Sequence, residues 1–496
     1  MRNKSGDVAV LIYLATATVV IHLLVGGRYG FHRDELATLD DARHLAWGYV
    51  AYPPVTPFFG RVSLQIFGTS LTGFRFFAAL ACALSVLLTG LMARELGGRR
   101  GAQLIAASAA VPFALAAGSL MQYVSFDYLA WVATAYFIVR LCKSNDPRWW
   151  VAIGGTIGFG MLTKYSILVC AAGIIAGVLL TDLRQHLKSK WLWIGVALSV
   201  LIFLPNFLWQ LRHDFVSLEF LRHIHERDVR IGRTKDFLPD QLLLNLLALP
   251  LAFAGLHFYF SAQAGHRFRA LGWMFVVSFT IFLIAKGRGY YLAPAYPMLY
   301  AAGAVWGEDL LGKWRRGRAN VLRATAWSAL AIDMIIVIAF VLPLAPINSR
   351  WWDATVKING DLREEIGWPE LVETIAGIRD SLPPEERTRV SILAGNYGEA
   401  GAINLYGARF GLPQAISGIN SYWARGYGNP PPETLIVVGL SRKFLEDTFA
   451  SCELAGHITN RYGVANEESH DHQEIFLCRD LRESWPAFWQ KFRRYG

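Results

Sequence analysis

The chain has 496 residues, 54% hydrophobic and only 17% charged, with a formal net charge of +10. Soluble globular chains carry nearer a quarter charged residues, which excludes an ordinary water-soluble enzyme. The basic excess flanks apolar blocks instead of forming one patch, so nucleic acid is not expected as a partner.

The first apolar block, "VAVLIYLATATVVIHLLV" (8–25), has no small-residue cleavage site after it and reads as a retained helix, not a secretory signal. Ten further blocks follow at 72–92, 102–118, 128–141, 149–163, 165–181, 192–209, 241–260, 270–285, 291–306 and 324–343. The reading is a polytopic α-helical protein with about eleven spans in a lipid bilayer. Several blocks fall below the roughly 17–25 residues a lone span needs. The pieces 149–163 and 165–181, parted around Lys164, read either as two spans or as a broken helix or re-entrant hairpin.

If eleven spans alternate, one side collects Arg2/Lys4, Arg94/Arg99/Arg100, Arg140/Lys143/Arg148, Arg184/Lys188/Lys190, Arg267/Arg269 and the run Lys313 to Arg323. The excess of Lys and Arg predicts that this side is cytoplasmic, with the N-terminus inside and the C-terminus outside. Composition changes after residue 344. Residues 1–345 form the predicted membrane domain, and 346–496 an extracytoplasmic α/β domain. The latter contains β-like runs at 389–395, 434–439 and 474–479 and helix-like segments at 368–380 and 441–450. Its Cys452 and Cys478 are free to pair in an oxidising compartment, though spacing alone does not pair them.

The outer loops hold charge that topology does not require. In "RYGFHRDELATLDDARHLAWGYVAYPP" (28–54), Asp34 and Glu35 follow the first span closely. A carboxylate there can accept a proton from an acceptor hydroxyl or amine beside a lipid-borne donor. The plainer reading is an exposed amphipathic helix with i,i+4 charge pairs. Asp127 in "QYVSFDYLAW" either stabilises a helix N-terminus or faces the same outer space. Lys164 in "LTKYSIL" must snorkel, pair or bind an anion such as phosphate. "AKGRGYYLAPAYPML" (285–299) places Lys286 and Arg288 beside Tyr290 and Tyr291, a phosphate clamp or a cation pair next to interfacial belt tyrosines. His223 and His225 share a face only on a strand, and His225 with Asp228 only on a helix, so no recognised metal spacing is present. A divalent metal stays open as a cofactor; no other is called for, since phosphate-binding loops, dinucleotide fingerprints and serine-nucleophile motifs are missing from the sequence.

Taken in order, "RDE" with "GYVAYPP", "SFDYLAW", "LTKYSIL", "SLEFLRHIHERDVR" and "KGRGYYLAPAYPML" resemble the GT-C glycosyltransferases that use lipid-phosphate sugars. The resemblance, over residues 8–345, is to the protein O-mannosyltransferase-like, lipid A aminoarabinose transferase-like and rhizobial galacturonosyltransferase-like bacterial group. "GNYGEAGAINLYG" (395–407) and "SGINSYWARGYG" (417–428) resemble tails on bacterial members. The resemblance implies inverting transfer of a sugar from a polyprenyl-phosphate donor, usually undecaprenyl phosphate in bacteria, to an extracytoplasmic lipid, glycan or protein in a multi-pass inner-membrane enzyme. It implies Asp34 as general base with Glu35 its neighbour, and Lys164, Lys286 and Arg288 on the departing phosphate. Asp127, Tyr290, Tyr291, His223 and His225 are then substrate-side residues. The local order "HERD" departs from the group's "EH" pair, which argues against a metal at His223 or His225. A transporter or flippase of a lipid-linked or small solute is the alternative, but internal symmetry expected of one is not evident.

Overall fold

A computed structural model describes residues 4–496, with side chains from residue 8 onward except that of residue 468. Arg2, used above for orientation, lies outside the described residues. The chain is a multi-pass helical membrane protein carrying a small sheet near its C-terminus.

The membrane part comprises α1 (Lys4–Val25), α2 (Arg33–Arg43), α3 (Val55–Phe67), α4 (Leu71–Glu95), α5 (Arg100–Ala117), α6 (Tyr123–Ser144), α7 (Trp149–Met161), α8 (Ile167–Leu180), α9 (Lys190–Arg212), α10 (Val216–Arg230), α11 (Phe237–Asn245), α12 (Leu249–Phe260), α13 (Arg269–Ile284), α14 (Tyr296–Gly312) and α15 (Arg316–Val341). All eleven predicted spans are helical. Eight helical stretches among the described residues are long and apolar enough to cross a bilayer. The other three predicted spans are α7, α8 and α14, with 13, 14 and 17 residues. The chain breaks between α7 and α8 at Leu162–Ser166 and places Lys164 in the break.

Helices approach closely where glycine removes the side chain. A Cβ on Gly154 of α7 would lie 2.0 Å from the Gly195 carbonyl oxygen of α9, and one on Gly173 of α8 would lie 2.6 Å from the Met274 carbonyl oxygen of α13. Lipid supplies no hydrophobic drive between helices, so such contacts hold the bundle by close packing. They also aim α7 and α8 at different partners, which opens the break around Lys164.

Beyond α15 come α16 (Arg350–Ile358), α17 (Trp368–Ser381) and a five-stranded sheet of β1 (Ser391–Ala394), β2 (Ala415–Ile416), β3 (Thr434–Val438), β4 (Phe449–His457) and β5 (Glu474–Leu481). The order is β2-β1-β3-β5-β4, with β2, β1 and β3 parallel and β5 antiparallel to both β3 and β4. The predicted helix at 441–450 ends at Thr448, and Phe449 opens β4. Cys452 and Cys478 lie opposite each other on β4 and β5 and are disulfide-bonded.

The sheet does not hang from a flexible tether. One apolar cluster joins Phe74 of α4 and Phe126 of α6, through Leu36 and Leu39 of α2, to Ile375 of α17, Ile392 of β1 and Ile436 of β3. Docking therefore buries the same kind of surface that holds a domain core together.

Candidate active site

α2 begins with a reciprocal cap: the Asp34 amide donates to His32 Nδ1 at 3.1 Å, and the His32 amide donates to Glu35 Oε2 at 3.0 Å. Using Glu35 as a cap turns it inward. Its carboxylate is fully buried, accepts from Arg75 Nη2 at 2.6 Å and from the Met121 amide at 2.8 Å, and shares Arg75 with buried Glu365. Consecutive helical residues point about 100° apart. Asp34 faces the other way and keeps 41% side-chain exposure. The pairing of Asp34 with Glu35 as joint catalytic acids is thus corrected: Glu35 is part of a buried ion triad joining α2, α4 and the C-terminal unit.

Asp34 opens into a cavity of about 420 Å³ enclosed by α2, the start of α6, the α7–α8 break, α10, the 288–291 turn and the C-terminal unit. Of the residues expected at the site, Asp34, Lys164, Arg288 and Tyr291 line it together. The Lys164 ammonium sits over three tyrosine rings, 5.0 Å from the centroid of Tyr123, 4.8 Å from Tyr290 and 4.1 Å from Tyr291. Ring faces attract a cation without neutralising it. Among the described residues no carboxylate forms an ion pair with Lys164 within 4.0 Å, and buried Asp127 acts on it only from beyond that distance. Asp127 stands behind this wall. It is buried, accepts from Ser166 Oγ at 3.0 Å, and leaves Oδ1 without a partner.

Arg288 is tied to buried Asp228 at 2.6 Å. This contact decides the histidine question. α10 is a helix, so His223 and His225 point away from one another, and both are exposed and outside the cavity wall. His225 has no partner in Asp228, which is turned inward to Arg288. Among the described residues no group of three His, Cys, Asp or Glu side chains is placed to hold a metal ion. Lys286 is also corrected: it is exposed and off the wall.

Several wall residues escaped the sequence reading. Arg227 and Arg233 add positive charge from α10 and the turn beyond it. Gln122 Nε2 donates to Asp34 Oδ2 at 2.8 Å, and Tyr397 of the C-terminal unit donates its phenol to Oδ1 at 2.9 Å. Asp41, two turns along α2 from Asp34, also lines the cavity. Tyr52 donates to Asp41 at 2.8 Å and Arg425 at 2.6 Å, yet burial outweighs both and pushes the Asp41 carboxyl up to about 7.

The chain is similar to known proteins both in sequence and in fold. Residues 51–209 match the family described as dolichyl-phosphate-mannose-protein mannosyltransferase. Over the whole chain the arrangement of helices and sheet matches ArnT from Cupriavidus metallidurans bound to undecaprenyl phosphate, at a TM-score of 0.57 and 16% identity, covering 96% of this chain and 98% of that one. The apo state of the same ArnT gives a TM-score of 0.57 at 15% identity. The chain has the GT-C fold. Within that fold, 185 residues are 26% identical to the lipopolysaccharide core galacturonosyltransferase RgtB of Rhizobium johnstonii. The match spans 36% of this chain and 37% of RgtB. In this GT-C chain, α2 and the α7–α8 break both contribute to the cavity lining.

Proposed function

We propose that the protein is an inverting glycosyltransferase that moves a sugar from a polyprenyl-phosphate donor to an extracytoplasmic acceptor. The observation carrying this reading is the shared cavity, which Asp34 and Lys164 both line. Asp34 takes the proton of the acceptor hydroxyl or amine as that atom bonds to the anomeric carbon. The bond from that carbon to the phosphate oxygen breaks, and both its electrons leave with the lipid phosphate. Lys164, with Arg288 and Arg227, offsets the charge gained by the phosphate. The sugar passes through an oxocarbenium-like state, and holding donor and acceptor together supplies part of the acceleration. No nucleotide takes part, because the lipid phosphate is itself the leaving group.

The GT-C fold, the family match and the similarity to RgtB and to ArnT with its bound undecaprenyl phosphate support the donor class. The Lys/Arg distribution and the Cys452–Cys478 disulfide support a cytoplasmic N-terminus and an outward-facing C-terminal unit in a bacterial inner membrane.

The test is mass spectrometry of envelope lipids and glycans from a deletion strain complemented with wild-type protein or Asp34→Asn. Restoration by wild type only, with equal amounts of both proteins in the membrane, is the expected result. Restoration by Asp34→Asn removes the assignment of Asp34 as base.

A further inference from the structure

The hydrogen bonds that hold Asp34 come from two separate parts of the chain. Gln122 belongs to the membrane helices, at the entry to α6. Tyr397 belongs to the C-terminal unit, at the turn leaving β1, 363 residues from Asp34 in sequence. We propose that Tyr397 is a positioning residue for Asp34, so that the transfer centre is complete only with the C-terminal unit docked on α2. This rests on Asp34 being the acceptor's base.

The turn that presents Tyr397 is built to hold it still. A Cβ on Gly395 would lie 2.1 Å from the Gly439 carbonyl oxygen, so β1 and the end of β3 touch backbone to backbone. Buried Glu399 accepts from the Gly395 amide at 3.0 Å and the Asn396 amide at 3.2 Å, while Asn396 Oδ1 accepts from the Glu399 amide at 3.0 Å. Tyr397 is the first residue of the helix Tyr397–Tyr406 that this box starts. Its position, beyond the carboxyl end of a parallel strand, is where open α/β sheets present functional groups.

The helix Tyr397–Tyr406 is also held close to α2. A Cβ on Gly398 would lie 2.8 Å from Arg33 Cβ, and one on Gly401 would lie 2.7 Å from the Leu36 backbone. Larger residues at either position would separate the helices. Farther along α2, Arg425 pairs with both Asp40 and Asp41. Near its start, Glu365 shares Arg75 with Glu35. The unit therefore grips α2 on both sides of Asp34's turn.

The consequence for chemistry follows from the lone pairs. With one donor on Oδ1 and one on Oδ2, rotation of the carboxylate is stopped and its remaining lone pairs face the cavity. A base must meet the acceptor proton at hydrogen-bond distance, so loss of either donor misplaces it. The charged and titratable groups facing this carboxylate are Arg33 at 3.9 Å, His32 at 4.0 Å, and the phenols of Tyr397 and Tyr123, with Lys164, Arg227, Arg233 and Arg288 elsewhere on the wall.

The experiment uses full-length protein in nanodiscs and the product identified by mass spectrometry. Undecaprenyl phosphate binding counts folded sites. Tyr397→Phe removes one hydroxyl. Its expected effect is a loss of about tenfold or more in turnover per lipid-binding site, from loss of a charge-assisted hydrogen bond. The loss falls on kcat, and the KM for the lipid donor is unchanged, because the hydroxyl is bonded to the base Asp34. Lipid binding stays at wild-type affinity and stoichiometry. Gly401→Val, which pushes the unit off Leu36 and leaves the Tyr397 hydroxyl in the chain, gives the same loss of turnover. Unchanged kcat in Tyr397→Phe, with Asp34→Asn inactive, overturns the positioning role alone. An active Asp34→Asn overturns the base assignment and this inference with it. Should Tyr397→Phe fail to accumulate, Tyr397→His restores a ring donor and must recover the rate per site; a histidine variant as slow as Gly401→Val overturns the proposal.

Discussion

The acidic helix and the α7–α8 break both line one cavity, and they treat charge differently. On α2 the charges that carry structure are matched: Glu35 by Arg75, and Asp40 and Asp41 by Arg425. Asp34 receives uncharged donors from Gln122 and Tyr397, which orient it and leave its charge in place. In the break, Lys164 is surrounded by tyrosine faces instead of a carboxylate. A folded chain leaves a buried or half-buried charge uncompensated only at a cost. Asp34, with Arg33 no closer than 3.9 Å, and Lys164, with Asp127 acting on it from beyond ion-pair distance, are the loosely matched charges, and both line the cavity.

Lys164→Met attacks the contrast at its strongest point. Removing this cation from the proposed phosphate site should weaken undecaprenyl phosphate binding by about ten- to a hundredfold, measured by titration of protein in nanodiscs. Arg288→Met should weaken it less, because Asp228 already offsets much of that charge.

On the matched side the effect moves from binding to stability. Glu35→Gln removes the nearer of Arg75's two buried carboxylates and leaves Glu365, and should cost about 1.5–3 kcal/mol, the range for a hydrogen bond to a charged group, read as a lower unfolding temperature. Lipid phosphate affinity of the folded fraction should be unchanged. Equal loss of affinity in Glu35→Gln would mean that the structural and working charges are not separable.

The smallest effect sharpens the account of the docked unit. Burial pushes the Glu399 carboxyl up to about 7, above its unfolded value, as it does for Asp41. The folded state then binds more protons than the unfolded chain between about pH 4 and 7, so these groups make stability fall as pH rises through that window. Glu399→Gln keeps an acceptor for the Gly395 and Asn396 amides and removes the titration. Its unfolding temperature should drop less than that of wild type between pH 5 and pH 8, by a few degrees.

Much of this architecture was legible before any coordinates. Runs of apolar residues marked helices at all eleven predicted positions, eight of them long and apolar enough to cross a bilayer among the described residues. Asp34, Lys164 and Arg288 stood out because charge beside apolar segments needs a reason. The fate of Glu35 was hidden, since adjacent acids look alike in sequence and its partner, Arg75, lies 40 residues away inside a span. Tyr397 and Gln122 were hidden for a different reason: uncharged side chains in remote segments leave no periodic or compositional mark. Lys286 and Arg288 looked like one clamp, and only the turn's geometry divides them, sending Lys286 to the surface.

The most direct measurement compares wild type, Asp34→Asn and Lys164→Met for both undecaprenyl phosphate affinity and sugar transfer in the same nanodisc preparations. Asp34→Asn should bind the lipid phosphate at least as tightly as wild type and transfer nothing, whereas Lys164→Met should bind about tenfold or more weakly. Equal affinities in all three proteins, or transfer by Asp34→Asn, would contradict a centre built on these two residues.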